Sequence, residues 1–356
     1  MSRPIWAGTI GPVASTIDRR PRSIRRTTSV DICWRNNNTE TVLTGVGRDM
    51  VTGDTSDDVR ILEVAATTVV LDATAYSVHS ATIANDPFGI AAWLPGRPAH
   101  FKIRKLLHAE HPDFVDSGSL AALLIDEVPG AALISYLAVM RDADPPEESL
   151  DSLDSVDHNV LPELANEASA RNNGPATNVC AGWIDGGSMY AGMSTRPFLG
   201  EGPPAPSLLR DDDPIAWHVS AELGRGDICR RRLIDVARNN VSGDYDVAVF
   251  FRDSFIERDM TTSVVHEYGL DLVVDAHTHE VVSIDVSPHV LPSPECPSAV
   301  ASAQRIVGMH VADVRTHVSA RFRGTSTCTH LNDALRSLGD LDVLIAALDH
   351  SGVTHA

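Results

Sequence analysis

Five side chains toward the C-terminal end of the sequence carry the types and neighbours that chemistry needs: His266, Glu267, Cys296, Cys328 and His330. Cys296 precedes Pro297 and so is expected at a helix N-cap, because proline suits the first helical position, where its missing N–H would be orphaned anyway. Cys328 follows Ser326-Thr327 and opens the helical run LNDALRSL, which stops at Gly339. A helix start offers free N–H groups and the positive end of the dipole, and both favour thiolate, the form that attacks carbon or binds metal. Thiolate and imidazole together suit zinc, so Cys296, Cys328, His330 and His266 form a candidate metal set. Glu267 is then a general base or a partner that orients a histidine. The Cys-x-His spacing at 328–330 is too short for a finger motif, so separate elements have to assemble the set. A packing alternative stays open. A cysteine at a helix start also serves as a small buried hydrophobe, and an adjacent His-Glu can be an ordinary hydrogen-bonded pair.

The elements that must position these residues come as an internal repeat. Seventeen positions separate Asp31 from Arg48-Asp49, and the same interval separates Asp235 from Arg252-Asp253. Matching strand pairs follow, RILEVAATTVVLDATAYSV and TSVVHEYGLDLVVDAHTHEVVSIDV, each around an Asp-Ala turn. Helical stretches Pro98 to Leu107 and Pro297 to Val307 come next, then SLAALLIDEV and STCTHLNDAL. The expected fold class is α+β: two diverged copies of an antiparallel-strand plus two-helix domain, related by pseudo-twofold symmetry. The expected organisation is a leader arm at 1–24, a first copy at 25–141 and an acidic linker at 142–176. A hairpin and proline-rich connector at 177–214 leads to a second copy at 215–356. Read this way, Cys296, Cys328, His330 and His266 face Arg97, Ala121, Leu123 and Leu62, while Glu267 faces Glu63. The second copy is chemically loaded where the first is not, which places the candidate site there.

Other residues have simpler uses. Arg19, Arg20, Arg22, Arg25 and Arg26 read as a solvated arm or a strap over an acidic body. The recurring Asp31, Arg48-Asp49, Asp235 and Arg252-Asp253 suggest strand-end ion pairs. Asp275, His277 and His279 read as a hairpin tip, and Trp183 and Trp217-His218 as anchors for the connectors. The formal net charge of −19 argues against nucleic acid and anionic membranes as partners. The most apolar run, Ala121 to Met140, is interrupted by Asp126, Glu127 and Pro129, so no membrane span is expected. The start lacks the order of a secretory signal, and five cysteines read as reduced thiols in the cytoplasm. Phosphate-binding, dinucleotide-binding, serine-hydrolase and H-E-x-x-H motifs are not found.

The runs RRTTSVDI, FFRDS, VVHEY, ECPSAVASAQRIVGM and GTSTCTHLNDALRSL resemble a mainly actinobacterial family of unknown function, DUF family 2889, in a long two-copy form. Its shorter members resemble the second copy, and the matching positions are His266, Glu267, Cys296, Pro297, Cys328, Thr329, His330 and Leu331. The resemblance implies that the second copy is the basic unit and brings no activity with it. The turn His277-Thr278-His279 departs from it, since a small or glycine-containing turn is expected there. The resulting expectation is a small-molecule enzyme of unidentified reaction, acting on an organic intermediate, with zinc as the possible cofactor. The alternative is a non-catalytic protein in which the same residues hold a structural zinc or only pack.

Overall fold

The strands follow from the sequence pattern, but the central ones carry an unusual load. The computed structural model describes residues 10–36, 38–142, 177–189, 201–219 and 221–351, so the expected acidic linker lies almost wholly outside the described residues. Strand β2 (Glu40–Thr52) alternates half-buried and buried side chains, as a strand with two unlike faces should. Strands β1 (Ser23–Arg35) and β5 (Ile228–Arg238) are instead buried on both faces over most of their length, although they contain SIRRTTSVD and ICRRRLID. Those arginines tolerate burial only because carboxylates meet them, as the site geometry shows.

Strands β1, β2, β3 (Val59–Asp72), β4 (Ser77–Ile83), β5, β6 (Tyr245–Ile256), β7 (Thr262–Val274) and β8 (Val281–Val290) form one antiparallel sheet. Its order is β4-β3-β2-β1-β5-β6-β7-β8, with β1 and β5 paired at the centre. The α+β class is observed, and the two halves share a single eight-stranded sheet. Each half carries a bulge at the same place, with Leu62 of β3 unpaired opposite Asp49/Met50 and Val265 of β7 unpaired opposite Asp253/Ser254.

Helices cover one face. From the first half come α1 (Ile90–Trp93), α2 (Lys102–Glu110), α3 (Pro112–Asp116), α4 (Leu120–Asp126) and α5 (Val128–Asp142). From the second come a 3-10 segment (Cys296–Ile306), α6 (Val311–Arg321), α7 (Thr329–Arg336), a 3-10 turn (Ser337–Asp340) and α8 (Leu341–His350). Each half is therefore richer in helices than the two expected. Two apolar clusters lie beneath them, and the halves exchange residues at the seam: Ile24 and Val51 join the second cluster, and Ile228, Phe255 and Val265 the first.

The other face is crossed by the N-terminal segment and a connector, which together cover Leu233 and Phe250 with Val13, Ile17, Leu208 and Trp217. Of the expected basic arm, Arg19 and Arg20 act as a strap, whereas Arg25 and Arg26 are buried in β1 and Arg26 turns to the helical face. Arg19 pairs with Asp213 at 2.7 Å, and Arg20 and Arg25 share Asp235 at 2.8 Å each.

Two local expectations change. Over its described residues, NVCAGWIDGGSM, the stretch expected as a hairpin is a 3-10 turn at Ala181–Trp183, because its glycines break a strand and its backbone bonds to the Thr327 carbonyl instead. Pro98 makes a bridge with Ser77 and does not start a helix; α2 begins at Lys102. Among the described residues no single helix is long and apolar enough to cross a membrane. Leu120–Asp126 and Val128–Ala138 reach that standard only as a pair bent by 46°.

Candidate active site

Alternation along β7 decides the site. His266 and Tyr268 point to the helical face, and Glu267 points to the opposite one. There Glu267 accepts the Val13 amide at 2.6 Å and pairs with Arg252, whose guanidinium also donates to the carbonyls of Val13 and Pro206. Glu267 thus anchors the N-terminal segment and is separated from His266 by the sheet, which removes it as that histidine's base or orienting partner. The ion pairs at Arg252 and at Asp253 are different pairs on different faces.

The carboxylate that meets His266 is Asp253, directly across the strand pair. Arg230 on β5 grips Asp253 with two parallel bonds, Nε to Oδ1 at 2.9 Å and Nη2 to Oδ2 at 3.1 Å. Its remaining nitrogen, Nη1, reaches Glu127 at 3.1 Å and Asp333 at 3.0 Å. Glu127 also binds Arg232, and Asp333 also binds Arg104 at 2.8 Å. A Cβ at Gly130 would lie 2.0 Å from Arg230 Nη1 and 2.4 Å from Asp333, so only glycine lets α5 approach this closely. The result is a buried charge network joining both halves beneath the helices.

His330 sits in the first turn of α7, whose N-cap is Cys328. Its ring stacks on His266 with centroids 3.5 Å apart and planes inclined by 17°. Asp253 Oδ2 lies 3.5 Å from His266 Nδ1 and 3.6 Å from His330 Nε2. Both nitrogens are buried without a hydrogen-bond partner. His330 Nδ1 is 3.3 Å from the Thr329 hydroxyl, which leaves Nε2 as the atom turned toward Asp253.

Electrostatics fit neutral rings beside an ionised carboxylate. Burial pushes the His266 pKa below the imidazole norm, and burial with the neighbouring His266 pushes His330 well below it. Burial alone would raise Asp253, but Arg230, with both histidines, outweighs it and holds the carboxyl below its usual range. Neutral imidazole and ionised carboxylate are the forms that bind metal. Asp253, His266 and His330 offer donor atoms that all lie within 4.8 Å of one another.

The cysteines go elsewhere. Cys296 and Cys328, with Cys180 from the 3-10 turn, gather around the buried Tyr268. Cys296 is the first residue of a 3-10 segment whose N-cap is Glu295, so it does not occupy the cap itself. Burial raises the thiol pKa of Cys296, as do the neighbouring Cys328 and Cys180; burial raises Cys328 and takes Cys180 up to about 12. The expected thiolates are therefore thiols: desolvation in an apolar cluster outweighs the helix-start effect. The predicted four-residue set divides, with the two histidines joining Asp253 and the two cysteines forming a separate cluster.

Register also revises the matched positions. Asp253 pairs with His266 next to the bulge on β7, and Asp49 pairs with Glu63 next to the bulge on β3. His266 therefore corresponds to Glu63, one residue from the position given by sequence alone. Aligning the caps of α4 and α7 sets Cys328 against Ser119 and His330 against Ala121. Sequence reasoning missed Arg230 and assigned Asp253 to structure. The signal was present in the Arg-Asp recurrence, but the pair that forms is Arg230 with Asp253 across strands, not Arg252 with its neighbour.

The connector anchors are also placed. Trp217 is buried against Phe250, with ring centroids 6.5 Å apart. His218 bonds the hydroxyls of Thr27 and Ser29, each at 2.8 Å. Trp183 packs at the margin of the first apolar cluster.

Residues 229–343 match the family model described as a protein of unknown function, DUF2889. The match spans β5 to the start of α8 and includes Arg230, Asp253, His266, Cys296, Cys328 and His330. No curated protein and no solved structure matches the chain.

Proposed function

We propose that Asp253, His266 and His330 hold a divalent transition-metal ion, and that the chain is an enzyme acting on a small organic molecule through that centre. One observation carries the metal reading: two buried imidazole nitrogens without partners converge on one carboxylate oxygen, at 3.5 and 3.6 Å. Three donors at bonds of about 2.1 Å in tetrahedral geometry stand roughly 3.4 Å apart, close to those separations. A two-histidine, one-carboxylate set suits zinc, iron or manganese and leaves coordination positions for water or substrate. Arg230 fixes the Asp253 carboxylate, and Thr329 sits beside the far nitrogen of His330, as outer partners of metal ligands do. A second reading, a structural zinc with no catalysis, is favoured by burial. Asp253 is 0% exposed, His266 6% and His330 9%.

Several observations support an internal duplication in a long two-copy relative of the matched family. The central sheet order is symmetric, and both halves bulge at Arg-Asp partners. Arg26 with Asp49 and Arg230 with Asp253 are each 23 residues apart. The reduced, mutually close Cys180, Cys296 and Cys328 support a reducing, cytoplasmic setting. The net charge of −19 keeps nucleic acid and membranes outside the proposal.

The test is metal content. Wild-type protein reconstituted with zinc or manganese and desalted should retain a slowly exchanging equivalent. Asp253→Asn, His266→Gln and His330→Gln should each lose affinity at least ~10-fold, whereas Glu267→Gln and Cys328→Ala should keep it. Equal retention in all five variants sinks the site. Chelation separates the two readings: a structural ion takes the melting temperature down with it, and a catalytic one leaves the fold standing.

A further inference from the structure

We propose that His279, His310 and Asp342 form a second, solvent-accessible site for a divalent transition-metal ion such as zinc. The site lies in the second half, apart from the buried centre, and does not depend on that reading. Its donor atoms all fall within 4.8 Å of one another. His279 Nδ1 is 2.7 Å from Asp342 Oδ1, and His310 Nδ1 is 3.8 Å from Asp342 Oδ2.

Three elements supply the ligands: the tip of the β7–β8 hairpin, the N-cap of α6 and the first turn of α8. Backbone bonds hold them in place before any ion arrives. Val311 donates to the His279 carbonyl at 3.0 Å, Val281 donates to Met309 at 2.9 Å, and Glu280 bridges His310. The side chains stay reachable, at 30% exposure for His279, 42% for His310 and 32% for Asp342.

The chemistry matches a labile site. Two imidazoles and a carboxylate favour zinc, copper or nickel over magnesium or calcium, and solvent fills the remaining positions. An ion bonded at about 2.1 Å to both His279 and Asp342 needs their donors at roughly 3.0–3.4 Å, so the 2.7 Å contact must open slightly, which exposed side chains allow. His310 Nδ1 also accepts the Ala312 amide at 3.2 Å, a long cap that an ion can displace, and the ring has a second nitrogen. His279 has φ +53°, a left-handed position that glycine or asparagine fills at lower cost. A bound ion would staple the hairpin to α6 and α8.

Zinc chloride is titrated into chelator-stripped full-length chain against a chromophoric competitor. The His266→Gln background removes the buried centre, and wild type is run in parallel. The expected result is one rapidly exchanging equivalent, weakened at least 10-fold by His279→Ala, His310→Ala or Asp342→Asn. The same variants should lower the wild-type stoichiometry by one, which covers the case in which His266→Gln does not fold. Zinc should raise the melting temperature of the parent but not of His310→Ala, while all melt alike in chelator. Parent-like affinity in the three variants, or loss that follows His277→Ala or His350→Ala instead, would overturn the assignment.

Discussion

In the first half Arg26 grips Asp49 through Nε and Nη2, at 2.8 and 2.6 Å, and the neighbouring position on β3 is Glu63. In the second half Arg230 grips Asp253 in the same way, and the neighbouring position on β7 is His266. Both third residues meet the start of a helix. Glu63 accepts the Leu120 amide of α4 at 3.3 Å, while His266 stacks on His330 of α7. The Arg–Asp pair is thus framework, built twice to make a polar strand centre tolerable. The slot beside it is free to vary, and one half fills it with a helix-capping carboxylate and the other with paired imidazoles.

The largest effect should come from breaking the framework in either half. Arg230→Met leaves Asp253, Glu127 and Asp333 short of a partner, and Arg26→Met does the same to Asp49 and Asp340. Each should cost about 3–5 kcal/mol in denaturant unfolding, the usual result of stranding buried charge. A cost below ~1 kcal/mol in one half only would show that the pairs are not equivalent.

Acid should separate the halves by sign. His266 and His330 are held below the ordinary imidazole pKa, and His218 on the far face down to about 3. Below pH ~6.5 the unfolded chain takes protons that these folded rings refuse, so stability falls by up to about 1.4 kcal/mol per pH unit for each histidine. Burial and Asp49 raise the Glu63 pKa. The folded state therefore takes its proton first, and Glu63 gains relative stability as pH falls through the ordinary carboxylate range. Unfolding titrations from pH 7 to pH 4 should show His330→Gln reducing the slope and Glu63→Gln removing the opposing contribution. Identical slopes in both variants would break the contrast.

The smallest effect concerns the slot in the first half. Glu63→Gln trades a charge that burial and Asp49 disfavour for a neutral side chain whose Oε1 can still accept the Leu120 amide, so stability at pH 7 should shift by less than about 1 kcal/mol, with metal retention unchanged. Loss of metal in that variant would mean that the two slots are coupled through the shared sheet.

How far the site was legible turns on particular residues. The Arg-Asp recurrence marked Asp49 and Asp253, and the loading of the second half marked His266 and His330. The face of each side chain was harder. Asp253 looked structural because the Arg-Asp pair recurs in both halves, yet neighbours on a strand point to opposite faces, so Arg252 went to Glu267 and Asp253 to Arg230. The connection from β6 to β7 is one residue shorter than that from β2 to β3, since Thr52 pairs with Val59 but Ile256 with Thr262, so His266 takes the place of Glu63 and not of Leu62.

The amino-acid sequence by itself determined the α+β class, the repeated order of strands and helices, and which half carries the candidate imidazoles and thiols. Those properties live in side-chain periodicity and residue type, which are local. Tertiary structure alone decided that β1 and β5 pair into one sheet, that Glu267 and His266 lie on opposite faces, and that the histidines leave the cysteines for Asp253. It also decided the protonation. The helix-start argument favoured thiolate, but packing around Tyr268 removed the water a thiolate needs, whereas the carboxylate kept its charge because Arg230 was carried to it from another strand.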